Sequence, residues 1–244
     1  MTRVALIADV HGNTHARIAV LDDIQSRAVD GVFNLGDALF GPLDPAGSAK
    51  LLKDIPCVSG NCDRYLHAPS ESNRTWLSWQ HTMRHIGEDD LTWLASLPLT
   101  RIIDGDILLC HGTPESDDIG LLETITPQGA SPASNAEIKA RLGHTSAPVI
   151  ACAHTHVPRI VQLNDGRLVV NPGSVGLPAY FEEAPFPHRM EAGSPHARYA
   201  VITKRSSKWQ VEQIAVPYDW EAAAHEAETN GRADYGVWLR TGRA

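Results

Sequence analysis

An α/β fold with a parallel sheet, followed by a second sheet that is mixed or antiparallel, is what this sequence predicts. Three observations carry the reading. Short apolar runs alternate with helical segments over the first 60 residues, polar residues stand at the ends of those runs, and Asp-Gly pairs punctuate the second half. Residues 4–8 (VALIA) are continuously apolar, as in a strand covered on both faces, and Asp9 ends the run. Asn13 caps the helix that follows, with Val20, Leu21, Ile24 and Ala28 on one side. "GVFNLGD" is a second strand ending at Asp37. "LDPAGSAKLLKDI" is a helix with Asp44 as N-cap and Pro45 at its first position. "IPCVSGNCD" reads as a third strand ending at Asn61. This order predicts parallel pairing, and ligands gather at the carboxyl ends of such strands.

Residues 64–97 place tryptophans and leucines at helical spacing and interrupt the alternation, so a helical insert is expected there, with Trp76, Trp79 and Trp93 in its core. After it come three hairpins. "RIIDGDILL" turns at Asp104-Gly105, "RIVQLNDGRLVV" at Asp165-Gly166, and "YAVITKRSSKWQVEQI" around Ser206. "PFPHRMEAGSP" reads as an irregular loop, and "DWEAAAHEAETNGR" as a terminal helix stopped by Asn230-Gly231 within a helical extension over 218–244.

The chain has 244 residues, 43% hydrophobic and 20% charged, enough for a full core in one domain spanning 1–244. A formal charge of −8 argues against a broad electrostatic grip on nucleic acid or anionic lipid. Neither stable nucleic-acid binding nor membrane association is expected, and the sequence leaves the oligomeric state open. The N-terminal run is too short for a signal peptide or a membrane span, so a cytoplasmic location is the expectation. Cys57, Cys62, Cys110 and Cys152 form no C-x-x-C pair and fit reduced thiols better than a disulfide frame.

Asp9, His11, Asp37, Asn61, His111, His154 and His156 all follow apolar runs. A lone histidine in such a place is usually a hydrogen-bonded structural residue; seven polar residues so placed point to a common ligand. Two carboxylates, an amide oxygen and four imidazoles, with no thiolate, suit Mn²⁺, Fe or Zn²⁺ better than Ca²⁺ or Mg²⁺. The set exceeds the three protein ligands usual at one catalytic zinc, so two ions sharing a carboxylate are expected.

With "DVH" (9–11), "GD" (36–37), "GNCD" (60–63), "HG" (111–112) and "HTH" (154–156) in that order, the sequence resembles the calcineurin-like metallophosphoesterase family. "NPGSVGLP" (171–178) is also similar to its bacterial members, and "GNCD" to their small phosphodiesterases. The resemblance implies a four-layer α-β-β-α sandwich, two mixed sheets flanked by helices. It places Asp9, His11 and His156 on one divalent transition ion and Asn61, His111 and His154 on the other, with Asp37 bridging; Mn is favoured over Fe, Zn, Ni or Co. It further implies phosphoester hydrolysis by a metal-bridging hydroxide, with small-molecule or nucleotide diesters favoured. Dinucleoside polyphosphates and phosphomonoesters are alternative substrates. A non-catalytic metal-binding interaction scaffold is a further alternative, because the family includes a retromer subunit that uses the fold as a scaffold.

Many relatives carry histidine where this chain has Cys62, which leaves the leaving-group acid open among Asp63, Arg64 and a metal-bound water; Asp63 equally fits a partner that orients a ligand. The candidate catalytic residues are therefore Asp37, His111, Asp63 and Cys62. Asn13, Asn61 and Arg64 are candidate substrate contacts, although helix capping alone accounts for Asn13. Residues 64–97 and 178–197, with His188 and Arg189, are expected to wall the pocket, while most of the remaining histidines are expected to be solvated. Ser174 in "PGSVG" lacks the first glycine of a nucleophile elbow, and there is no P-loop Gly-Lys pair.

Overall fold

In a computed structural model, which describes residues 2–244, β1 (Arg3–Ile7), α1 (Thr14–Gln25), β2 (Gly31–Asn34) and α2 (Pro45–Leu52) follow one another as the sequence predicts. β1 and β2 pair in parallel. Asn13 and Asp44 cap the two helices, accepting from the backbone N–H groups of Ala16 and Gly47. The third strand does not form. Cys57 makes one parallel bridge to Asn34, and the chain then enters α3 (Asn61–His67). Pro56 has no N–H to extend the ladder, and Asp63, accepting from the Gly60 N–H, starts the helix instead.

α4 (Leu77–His85) and α5 (Glu88–Ser96) complete the helical insert. Leu66 and Leu94 join the core formed by Ala16, Val20 and Ile24, and Trp79 and Trp93 pack against it. Trp76 departs from expectation: it is 42% exposed. His81, expected in solvent, is buried with Nε2 2.7 Å from the Leu43 carbonyl.

The second half comprises β3 (Thr100–Ile103), β4 (Ile107–Cys110), β5 (Glu123–Thr126), β6 (Gly129–Pro132), α6 (Asn135–Leu142), β7 (Val149–Ala151), β8 (Arg159–Gln162) and β9 (Leu168–Asn171). Then come β10 (Ala179–Glu182), β11 (His188–Glu191), β12 (Ala197–Arg205), β13 (Lys208–Val216), α7 (Trp220–Thr229) and α8 (Ala233–Thr241). The three expected hairpins are present. One of them sits elsewhere: β12 pairs antiparallel with β1, giving a first sheet of order β13-β12-β1-β2, so that sheet is mixed. The second sheet has order β3-β4-β7-β9-β8 with a parallel centre. The hairpin β5–β6 and helix α6 have no counterpart in the sequence reading. Residues 185–195 are likewise not wholly irregular, because His188 to Glu191 pair with β10. His188 and Met190 point inward and Arg189 and Glu191 outward, an alternation masked by flanking prolines.

β1 shows why the sheets stack. Ala5 and Ile7 face the helices α1 and α3, whereas Val4 and Leu6 meet Leu109, Val149, Ala151 and Val170 of the second sheet. On that sheet's far side Leu108, Ile150 and Val169 pack against Ile138 and Leu142 of α6. The result is the four-layer α-β-β-α arrangement. α7 and α8 join it through Ala223, Ala227, Tyr235 and Leu239 packed on Leu43 and Leu177.

Asn13 is fully buried, and every polar atom of its amide is in use: Oδ1 caps α1, while Nδ2 donates to the Gly176 carbonyl at 2.9 Å and to the Tyr218 hydroxyl at 3.3 Å. Nothing is left to meet a substrate. Asn13→Ala should therefore cost stability, about 0.5–2 kcal/mol for the cap alone, read as a lower denaturation midpoint. Metal content at saturating metal should stay at the wild-type value.

Candidate metal centre

The seven residues converge at the carboxyl ends of strands from both sheets. Asp9 and His11 follow β1, Asp37 lies beyond β2, His111 follows β4, and His154 and His156 follow β7. Asn61 opens α3 rather than ending a strand. Asp9, His11, Asp37, His154 and His156 all have φ between 50° and 70°, the left-handed region that non-glycine residues seldom enter. Each such residue costs on the order of 1–3 kcal/mol and persists only where its surroundings fix it.

Here hydrogen bonds fix it. Ser174 Oγ donates to the Asp9 carbonyl at 2.8 Å, Gly176 N–H donates to the same oxygen at 3.0 Å, and Val175 N–H to that of Ala8 at 2.9 Å. Ser174 is thus a brace, and "NPGSVGLP" is the strap beneath Asp9. On the other side Asp63 accepts from the backbone N–H groups of Asp37 (2.8 Å), Ala38 (2.9 Å) and Gly60 (3.1 Å). It ties the Asp37 loop to the start of α3. Cys62 N–H in turn donates to Asp37 Oδ1 at 2.9 Å.

Three imidazoles are aimed in the same way. The Nδ1 atoms of His11, His111 and His156 lie 2.8, 2.7 and 2.6 Å from the carbonyl oxygens of Phe40, Leu35 and Leu177. A carbonyl only accepts, so each Nδ1 carries hydrogen, and each ring, once neutral, presents its Nε2 lone pair inward. His11 Nε2 and His156 Nε2 then face each other at 3.2 Å. His156 Nε2 lies 3.4 Å from Asp9 Oδ1, and His111 Nε2 lies 3.3 Å from Asp37 Oδ2 and 3.0 Å from Asn61 Oδ1. His154 reaches the same Asn61 oxygen with Nδ1 at 3.0 Å. Both carboxylate oxygens of Asp9 are buried without a hydrogen-bond partner.

Converging lone pairs and an orphaned buried carboxylate fit a cation. The groups Asp9–His11–His156 and Asp9–Asp37–His111 each present ligand atoms within 4.8 Å of one another. Proton affinities follow the same electrostatics. Burial alone would lower His111, but Asp37 and Asp9 raise it to about 10. Burial, with His111 beside it, takes His154 down to about 4. Burial would raise Asp37, yet His111, His11 and His154 hold its carboxyl far below the usual range. Cys62 also comes near His11 and Asp37, but burial and the Asp37 charge keep its thiol neutral, which makes it a poor ligand.

A cavity of about 440 Å³ opens on this cluster, with His11, Asp37, Asn61, His154 and His156 at one end. Cys62 also lines it. Asn13, Asp63 and Arg64 do not. Asp63 is spent on backbone amides beneath Asp37, with its carboxyl pushed up to about 7 by burial and by Asp37. The Arg64 guanidinium is held by Asp117, through two 2.8 Å contacts, and by Asp118. Nor do His188 and Arg189 line the cavity. His188 is buried with Nδ1 2.8 Å from the Phe186 carbonyl, and Arg189 lies over Phe181; their hairpin partners Tyr180, Phe181 and Glu182 are the ones that face the cavity. Tyr180, missed from the sequence, packs its ring 4.8 Å from His156 and donates to the His154 carbonyl at 3.3 Å. It falls within residues 178–197, the segment expected to wall the pocket, although nothing in the sequence singles it out there. Arg232, Tyr235 and Trp238 of the C-terminal extension also line the cavity, and no motif marks them.

A four-layer fold with a histidine–carboxylate cluster at its strand ends defines a metallophosphoesterase architecture. The model of the calcineurin-like phosphoesterase superfamily domain matches residues 2–186, and the chain belongs to this superfamily of phosphoester hydrolases, which generally bind divalent metals. It is similar to an uncharacterized protein of Methanocaldococcus jannaschii, at 26% identity over 242 residues, covering 93% of this chain and 92% of that one. The crystal structure of a metallophosphoesterase from Sphaerobacter thermophilus superimposes with a TM-score of 0.75 at 24% identity over 99% of both chains, a likeness of fold. Among the described residues, no helix is long and apolar enough to cross a membrane.

Gly60 tests the geometry. A Cβ there would lie 2.1 Å from Asp37 Oδ1 and 2.7 Å from Asp37 N. Gly60→Ala should displace Asp37 and weaken Mn²⁺ binding by about 10–100-fold, the range seen when groups supporting metal ligands are lost. Calorimetric titration of the metal-free protein measures it.

Proposed function

We propose that the protein is a phosphodiesterase acting on small-molecule or nucleotide diesters with two divalent transition ions, manganese being favoured. Asp9, His11 and His156 would hold one ion, Asn61, His111 and His154 the other, and Asp37 would touch both. When bound, such ions supply Lewis-acid activation of water and neutralise charge on a phosphoryl group. The rest falls to the chain's own residues. Phe40, Leu35 and Leu177 carbonyls keep three imidazoles in the ligating tautomer, and Asp63 and Ser174 hold the carboxylate-bearing loops.

The charge of the cavity carries the preference for diesters. Among the described residues lining it, Arg232 is the one Lys or Arg side chain, and its guanidinium is paired with Asp234 through contacts of 2.8 and 2.6 Å. Glu182 adds negative charge. No surplus cation beyond the metal cluster awaits the second charge of a phosphomonoester or the several charges of a dinucleoside polyphosphate. A diester carries one.

Bis(4-nitrophenyl) phosphate and 4-nitrophenyl phosphate share a leaving group. The Mn²⁺-loaded protein should favour the diester in kcat/KM by at least about tenfold, 1.4 kcal/mol. A preference for the monoester would overturn the reading. Elemental analysis after reconstitution should give two ions per chain. Asp37→Asn should reduce both occupancies, whereas Asn61→Ala should reduce one, and equal losses would remove Asp37 from its bridging role.

A further inference from the structure

The end of the cavity away from the metal cluster is assembled from elements distant in sequence. Trp76 and Leu77 come from the insert, Phe181 from the β10–β11 hairpin, and Arg232, Tyr235 and Trp238 from the C-terminal extension. That extension lies beyond residues 2–186, which carry the superfamily match. Apart from Arg232 these side chains are large and mainly apolar, yet Trp76 is 42%, Leu77 56% and Phe181 39% exposed beside an open cavity. Exposed aromatic faces grouped along one cavity are the kind of surface that takes an apolar ligand.

The group is also locked in orientation. The Arg232 guanidinium lies 4.1 Å from the Tyr235 ring and 5.8 Å from the Trp238 ring, and it is pinned by Asp234 and by the Ser78 hydroxyl. Ser78 adjoins Leu77, so this contact joins the C-terminal extension to the insert across the cavity wall. Trp76 is held edge-on by Phe40 (6.3 Å) and Tyr65 (5.5 Å). Rigid aromatic faces with a stacked guanidinium favour flat π-systems, which gain dispersion and quadrupole contacts without ordering a flexible wall.

We propose that the C-terminal extension and the insert together form a specificity subsite for a planar aromatic group, aryl or nucleobase, on one ester arm of the substrate. The inference rests on the phosphodiester reading and names the class of diester. Trp76, Arg232 and Trp238 are positioning and specificity residues in it, remote from the metal ligands.

Direct binding keeps the test separate from catalysis. Dimethyl phosphate, methyl phenyl phosphate and thymidine 5′-methyl phosphate each carry one charge and differ in the arm. Calorimetry on Mn²⁺-loaded protein should show at least one aromatic diester binding about tenfold or more tighter than dimethyl phosphate, the scale of one stacked ring. The tighter of the two aromatic ligands tells a nucleobase subsite from an aryl one. Trp76→Ala and Trp238→Leu should each bring the aromatic-to-methyl affinity ratio down toward one with metal content retained. The second variant keeps the test alive should the first disturb the insert. Dimethyl phosphate binding as tightly as both aromatic diesters would overturn the subsite, as would an unchanged ratio in both variants. Hydrolysis of bis(4-nitrophenyl) phosphate by the same preparations is scored separately: activity without aromatic selectivity sinks the subsite alone, while aromatic selectivity without activity sinks the phosphodiesterase reading.

Discussion

Burial of the Asp9 and Asp37 carboxylates among four imidazoles is the constraint on which the rest of the structure depends. A buried carboxylate without a partner is among the most unfavourable groups a protein can carry, and Asp9 has no hydrogen-bond donor at either oxygen. The chain could have supplied an arginine. Instead it places imidazole nitrogens there and fixes their tautomers with carbonyl oxygens, so that the lone pairs face inward as well. A cation from outside the chain can then take the place of the proton that Asp37 and Asp9 hold on His111. The fold is organised so that this arrangement survives.

Survival requires an otherwise unfavourable backbone. Left-handed φ values at Asp9, His11, Asp37, His154 and His156 swing each side chain out of its strand line and into the common centre. Such conformations persist only where neighbours over-determine them. The strap from Asn171 to Leu177 does this from one side: Asn171 Nδ2 donates to the Ala153 carbonyl at 3.0 Å and the Thr155 hydroxyl at 3.1 Å, and Ser174 and Gly176 secure Asp9. Asp63 does it from the other side through three backbone amides. Behind both lies an inter-sheet core of Val4, Leu6, Leu109, Ala151 and Val170, whose packing leaves the strand ends little room to relax.

The same physics explains what was legible in the sequence. Residues 4–8 ending at Asp9, or "VIACAHTH" ending at His154 and His156, announce a buried strand and its functional end within a dozen residues, because apolar continuity and an abrupt polar terminus are both local. Caps at Asn13 and Asp44 are local too. Pairing across the sheet is not. Nothing within "YAVITKRSSKWQVEQI" says that this hairpin completes the edge of β1, almost 200 residues away, and the two-residue alternation of His188 to Glu191 is hidden by its prolines. Asp63 and Arg64 stand next to Asn61 in sequence, and adjacency suggested catalytic duty. In space the helix start turns Asp63 under Asp37 and Arg64 toward Asp117.

The two ends of the cavity differ for this reason. Its metal end is built from strand termini, where the spacing of ligands follows from sheet geometry and each donor must occupy one place to within a fraction of an ångström. Its far end is built from an insert, a hairpin and a C-terminal helix pair, which meet only in the finished fold. The hairpin reaches the cluster through Tyr180, beside His156, whereas Arg232 packs on Tyr235 and Trp238 and bonds Ser78. The cluster is therefore written in motifs and the far wall of the cavity in packing. Strand ends fix the one to within a fraction of an ångström, whereas the other forms only when three distant segments meet.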